Sequence, residues 1–168
     1  AKRWAAVDFD GASYRAGQAP TRHPPFIAGL DLRAVVFDPP YFDLQSAPGV
    51  QGVVAWGAHD PGVAPGARPA GLAEEIRDRF GDYPAQEWIY GFVWPDPVRA
   101  GRMADALIEA TRLRGRILEW LLTERLPEWD LGLVVFSEFH SAIEALWHGV
   151  DDGHPLHRQP SAAHARRG

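Results

Sequence analysis

Three short apolar runs, each ended by a chain breaker, constrain this chain more than anything else in it. Leu32-Arg33-Ala34-Val35-Val36-Phe37 is stopped by Asp38-Pro39-Pro40. Gly52-Val53-Val54-Ala55-Trp56-Gly57 has a glycine at each end, and Leu131-Gly132-Leu133-Val134-Val135-Phe136 runs into Ser137-Glu138. A strand with one wet face alternates apolar and polar residues. A strand buried on both faces reads as a continuous apolar run, and such strands belong to parallel sheets covered by helices. A weaker candidate is Trp4 to Phe9.

The helices follow from periodicity and capping. Gly71 to Phe80 carries Leu72, Ile76 and Phe80 at i, i+4 and i+8. Pro97 sits where a first helical turn tolerates a missing N–H, and Asp96 can cap it. From there an apolar stripe (Val98, Met103, Leu107, Ala110, Leu113, Ile117, Trp120, Leu121, Leu126) keeps a helical period as far as Pro127. Arg99, Arg102, Asp105, Glu109, Arg112, Arg116 and Glu119 form the solvated face. Phe139 to Val150 reads as a last helix, with Phe139, Ile143, Leu146, Trp147 and Val150 expected to face the core. Residues 58–69 read as loop.

Strand–helix alternation with apolar strands gives an α/β fold with a parallel-dominated sheet and flanking helices. Only three or four strands are visible, so the sheet looks incomplete. Residues 1–157 are expected to form a single, partial α/β domain, and 158–168 a flexible tail. Edges and faces that a fuller sheet would cover should be apolar and drive self-association, with Trp88, Trp94 and Trp120 as candidates.

The 168 residues carry 17 basic and 22 acidic side chains, a formal charge of −5. That leaves no basic footprint for nucleic acid. No apolar run has the length of a membrane span, and no signal-type segment precedes the first strand-like run, so a cytoplasmic protein is expected. The chain contains no cysteine, which removes disulfides, thiolate metal sites and cysteine nucleophiles. A metal would have to be held by His, Asp or Glu.

In open parallel sheets ligands gather beyond the carboxyl ends of the strands. That rule points to Asp38, to His59 and Asp60, and to Glu138 and His140. His140, Glu144 and His148 repeat at i, i+4 and i+8, which puts them along one helix edge. His140 and Glu144 lie one turn apart, the separation at which one helix can offer two donors to a divalent ion, and Glu138 adds a nearby carboxylate. Asp8-Phe9-Asp10-Gly11 is similar to the opening motif of haloacid-dehalogenase-type phosphatases, with Asp8 as nucleophile and Asp10 as acid/base.

Trp129-Asp130-Leu131, Phe136-Ser137-Glu138, Trp147-His148 and Asp151-Asp152-Gly153-His154-Pro155 occur in that order behind a long helix. Together with Ala34 to Pro40 and Gly49 to Pro61, they resemble the alkaline phosphatase superfamily, in its branch of type I phosphodiesterases and nucleotide pyrophosphatases. The resemblance covers roughly residues 25–157. It implies an alkaline-phosphatase-like fold and metal-dependent hydrolysis of phosphate or sulfate esters. It also implies zinc or manganese as cofactor, a small phosphate ester as substrate, and His140, Glu144 and Glu138 as this chain's metal ligands. The family also uses a Ser or Thr nucleophile upstream and an Asp-His pair downstream; no Asp-His dipeptide occurs here. The expectation is therefore an internal piece or a degenerate relative, inactive by itself. The alternative is a non-catalytic α/β binding or assembly domain.

Overall fold

The three apolar runs become three adjacent parallel strands in the computed structural model, which describes residues 12–13, 21–22, 26–39, 42–57, 65–88 and 97–158. A two-stranded antiparallel ribbon, β1 (Ala12–Ser13) with β2 (Thr21–Arg22), comes first. The main sheet holds β3 (Ala34–Phe37), β4 (Val50–Val54), β5 (Gly66–Arg68) and β6 (Leu131–Val134), in the order β5-β4-β3-β6. β3 lies at the centre, parallel to both β4 and β6, and β5 pairs antiparallel at the edge of β4. The helices are α1 (Leu72–Phe80), α2 (Pro97–Trp120) and α3 (Ser137–Leu146). The fold is α/β with a mixed, mostly parallel sheet, as the runs imply. Trp4 to Phe9, Asp8, Asp10, His59, Asp60, Trp94, Asp96 and residues 159–168 lie outside the described residues.

The chain divides into two compact units, Ala1–Arg79 with Glu119–Val135, and Phe80–Leu118 with Phe136–Gly168. The first holds the main sheet. Val36, Val50 and Val54 pack on one face with Ile27, Phe42 and Leu44, and Leu131 and Leu133 join them from the edge strand. Val35, Phe37 and Val53, which point the other way, are just as buried. β3 is thus covered on both faces, which is why its sequence is continuously apolar.

Polar groups set the register. Arg33 and Asp130 stand at the entrances of β3 and β6. The Asp130 N–H donates to the Arg33 carbonyl at 2.8 Å, and the Asp130 carboxylate accepts from the Arg33 N–H and from its guanidinium at 3.0 and 2.8–2.9 Å. Arg33 holds the Asp130 carboxyl well below the usual carboxylate range. β5 sits within the stretch read as loop, because Gly-Ala-Arg has no apolar signature. Its Arg68 donates to the carbonyls of Ala47, Val50 and Leu44, the last two at 2.9 and 2.7 Å, and so ties the edge strand to the start of β4 and the segment before it.

α2 begins at Pro97 as its chemistry requires, and ends in a π-type turn over Leu121–Arg125 closed by the Leu126 N–H on the Leu121 carbonyl. Arg125 in that turn grips Glu75 of α1 at 2.6 and 2.9 Å. The predicted apolar stripe is buried except for Val98. Trp88 and Trp120, expected at an uncovered surface, are instead buried, each beneath an arginine: Arg99 at 5.4 Å and Arg79 at 5.3 Å from the ring centres. A ring and a guanidinium stack bury apolar area while the charge stays wet.

Candidate functional site

At the carboxyl ends of β3 and β4, two residues other than glycine take left-handed backbone conformations, Asp38 at φ 58° and Ala55 at φ 56°. Aspartate tolerates that region and alanine resists it, so the turn after β4 carries strain. Asp38 is the device that holds it. Its N–H extends the ladder to the Val53 carbonyl at 2.7 Å, and its buried carboxylate accepts the N–H groups of Trp56 and Gly57 at 3.0 and 2.9 Å. The Trp56 ring then rests 5.4 Å from Phe37. Asp38 stands where the strand-end rule places it, and its carboxylate is spent on the backbone.

In the second unit the polar centre is a buried ion pair. Arg114 of α2 and Glu138 in the first turn of α3 are 0% and 1% exposed. The Arg114 Nε donates to both Glu138 oxygens at 3.0 and 3.1 Å, and Nη2 donates to Oε1 at 2.8 Å. Nη2 also reaches the Ser137 hydroxyl at 3.4 Å, and the rings of Tyr83 and Phe136 lie 5.9 and 6.0 Å from the guanidinium carbon. Burial, and then the Glu138 charge, push the Tyr83 phenol well above its ordinary value. Sequence reading missed Arg114. Its signal was there, a charged residue four after Ala110 and three before Ile117, inside the apolar stripe.

That pair turns α3 around. The buried residues of α3 are Ser137, Glu138, Ser141, Ala145 and Leu146. Of the arc expected to face the core only Leu146 does so, whereas Phe139, Ile143, Trp147 and Val150 are 57%, 60%, 49% and 64% exposed. A polar face can be buried when its partners are supplied, and Arg114 supplies them.

The three residues expected to hold a metal are thereby divided. His140 and Glu144 come together, Nε2 to Oε1 at 3.3 Å, on an exposed part of α3. Glu138, two residues back, has its carboxylate engaged by Arg114. As a set of three they do not fit one ion. Among the described residues, no group of three or more His, Cys, Asp or Glu could hold a metal. His140 and Glu144 are two donors where zinc takes three or four from proteins.

His148, on the same sequence edge, is buried. Its ring lies 6.1 Å from that of His154, and its carbonyl is 3.0 Å from the His157 Nδ1. Burial lowers the His148 pKa, and the charges of His154 and His157 lower it further. A histidine depressed in the folded state takes up protons more readily when unfolded. Its contribution is therefore fully present above the unfolded value, about 6.5, and is lost as pH falls through the folded one. Denaturant titrations should show stability falling as pH drops below about 6.5, by up to about 1.4 kcal/mol per pH unit. His148→Gln should flatten that slope; an unchanged slope would remove His148 as its source.

Comparison of the chain with models of known families, with curated proteins and with solved structures found no match. Among the described residues no helix is long and apolar enough to cross a membrane.

Proposed function

We propose that this chain is the scaffold portion of a metal-dependent hydrolase of phosphate or sulfate esters, similar to the alkaline phosphatase superfamily, and performs no turnover by itself. One observation carries the reading. Three of the segments on which the resemblance rests contribute the neighbouring strands β3, β4 and β6, which run parallel within one mixed sheet. An ion of zinc or manganese would draw on His140 and Glu144 and take its remaining ligands from outside this chain. When bound, such an ion supplies charge stabilisation at the phosphoryl group and an activated nucleophile.

A specific observation also favours the second reading, a non-catalytic binding or assembly domain. Several acidic residues of the resembling segments have structural work: Asp38 holds a strained turn, Asp130 fixes strand register and Glu138 neutralises a buried arginine. Asp151 accepts the Gly153 N–H at 2.9 Å and closes the turn after α3.

The test pairs an assay with calorimetry. With zinc or manganese, the purified chain should hydrolyse aryl phosphates, phosphodiesters and sulfates no faster than background. Zinc should bind weakly, and more weakly still to His140→Ala and Glu144→Ala. Turnover that survives purification and is abolished by a chelator would overturn the scaffold reading. Zinc affinity unchanged in both variants would leave only the non-catalytic one.

A further inference from the structure

We infer that the groove between α2 and α3 is a binding site for a single-chain anionic amphiphile, with the alkyl chain in the groove and the head group at Arg112. Both helices' lining residues belong to the second unit. The groove has a volume of about 250 Å³, and its exposed lining is almost wholly apolar. Two alanines, Ala104 of α2 and Ala142 of α3, line it with only a methyl group each. Leu107 and Leu146 line it as well, and the largely exposed Phe139 stands at its rim.

The polar atoms of the lining are already committed. The Glu138 carboxylate is held by Arg114, and the Thr111 hydroxyl donates to the Leu107 carbonyl of its own helix at 2.8 Å. Neither offers a hydrogen-bond donor to an occupant, so the recess recognises hydrocarbon. Arg112 differs. It lines the same groove, is exposed, and has no hydrogen-bond or ion-pair partner among the described residues. An uncovered apolar recess with one uncompensated cation at its margin complements a chain with a terminal negative charge.

Size sets the chain length. At the roughly 30 Å³ that a water-sized group occupies, about 250 Å³ has room for on the order of eight methylene or methyl groups. A longer chain leaves its excess in water and gains nothing from it. The same groove would suit a carboxylate or a phosphate monoester head, since Arg112 pairs with either.

The site is tested by NMR titration of the full chain, following the amides of Ala104, Ala142 and Phe139. Hexanoate, octanoate and dodecanoate vary the chain; octyl phosphate and 1-octanol vary the head. The dissociation constant is expected to fall about two- to fourfold per added methylene up to octanoate, then level off. Arg112→Gln should weaken octanoate and octyl phosphate about two- to fivefold and leave octanol unchanged. Ala142→Leu, which fills the recess from a half-buried position, should abolish binding while the melting temperature confirms that the chain is folded. The ratio of octyl phosphate to octanoate affinity assigns the preferred head group. Failure of millimolar octanoate to move the groove amides would overturn the site. So would equal octanoate affinity in Arg112→Gln, or a concentration-dependent dimer whose contact covers these same amides.

Discussion

Replacing Arg114 by methionine should destabilise the chain by about 3–5 kcal/mol, the cost of leaving a buried charge without its partner. Glu138 would then keep its carboxylate inside the protein, 1% exposed, with its arginine contacts gone. A domain of this size holds only about 5–15 kcal/mol in total, so the loss is a large share of it. The midpoint of thermal unfolding should fall by roughly 10 °C or more. Glu138→Leu alone should cost as much for the mirror-image reason, a stranded guanidinium. The double variant, Arg114→Met with Glu138→Leu, is the diagnostic. Apolar groups of similar volume remove both desolvation penalties, so most of the lost stability should return. A double variant as unstable as either single would show that the pair's shape matters, not its charge. Single variants that melt with the wild type would show that the pair is solvated.

The same pair explains what could and could not be read from the sequence. β3 is legible because a strand buried at every position has no polar residue to disguise it, and β4 and β6 still read as apolar runs although Gln51 and Gly132 are exposed. α2 was legible because its stripe is long and its opposite face carries the charges. α3 was misread because periodicity assumes that the apolar face is the buried one. Here Arg114 offers donors to Glu138 and Ser137 on the buried face of α3, and Phe139, Ile143 and Trp147 are left outside. Local sequence around α3 contains no trace of an arginine 24 residues away that reverses its orientation. β5 was invisible for another reason. Its three residues are fixed by pairing with β4 and by Arg68 on three carbonyls, and neither leaves an apolar pattern. For the candidate site, the strand-end rule found Asp38, and helix spacing found that His140 and Glu144 meet. The placing of Glu138 with them failed because sequence proximity says nothing about which way a carboxylate is already engaged.

Gly52→Ala should be the most damaging single methyl that can be added to the described sheet. Gly52 pairs with Val36 in the parallel register of β4 on β3, at φ +127°. A Cβ built there lies 1.8 Å from the Val36 carbonyl oxygen and 2.7 Å from its carbon. Both are backbone atoms of the central strand, so no rotamer change relieves the clash, and the strands must separate or the backbone must flip. Either response breaks the ladder through which β3 positions Asp38 and the strained turn after β4. Loss of more than about 4 kcal/mol is expected, at the far end of what point substitutions do. Gly115 provides the opposite sign from the same chemistry. It lies within α2 with nothing within 4 Å of an added Cβ. Gly115→Ala should therefore stabilise the chain by about 0.5–1 kcal/mol through helix propensity. Denaturant titration of the two variants beside the wild type measures both. Gly52→Ala unfolding at the wild-type midpoint would mean that β4 does not approach β3 in this register. Asp38 would then not be the clamp of its turn.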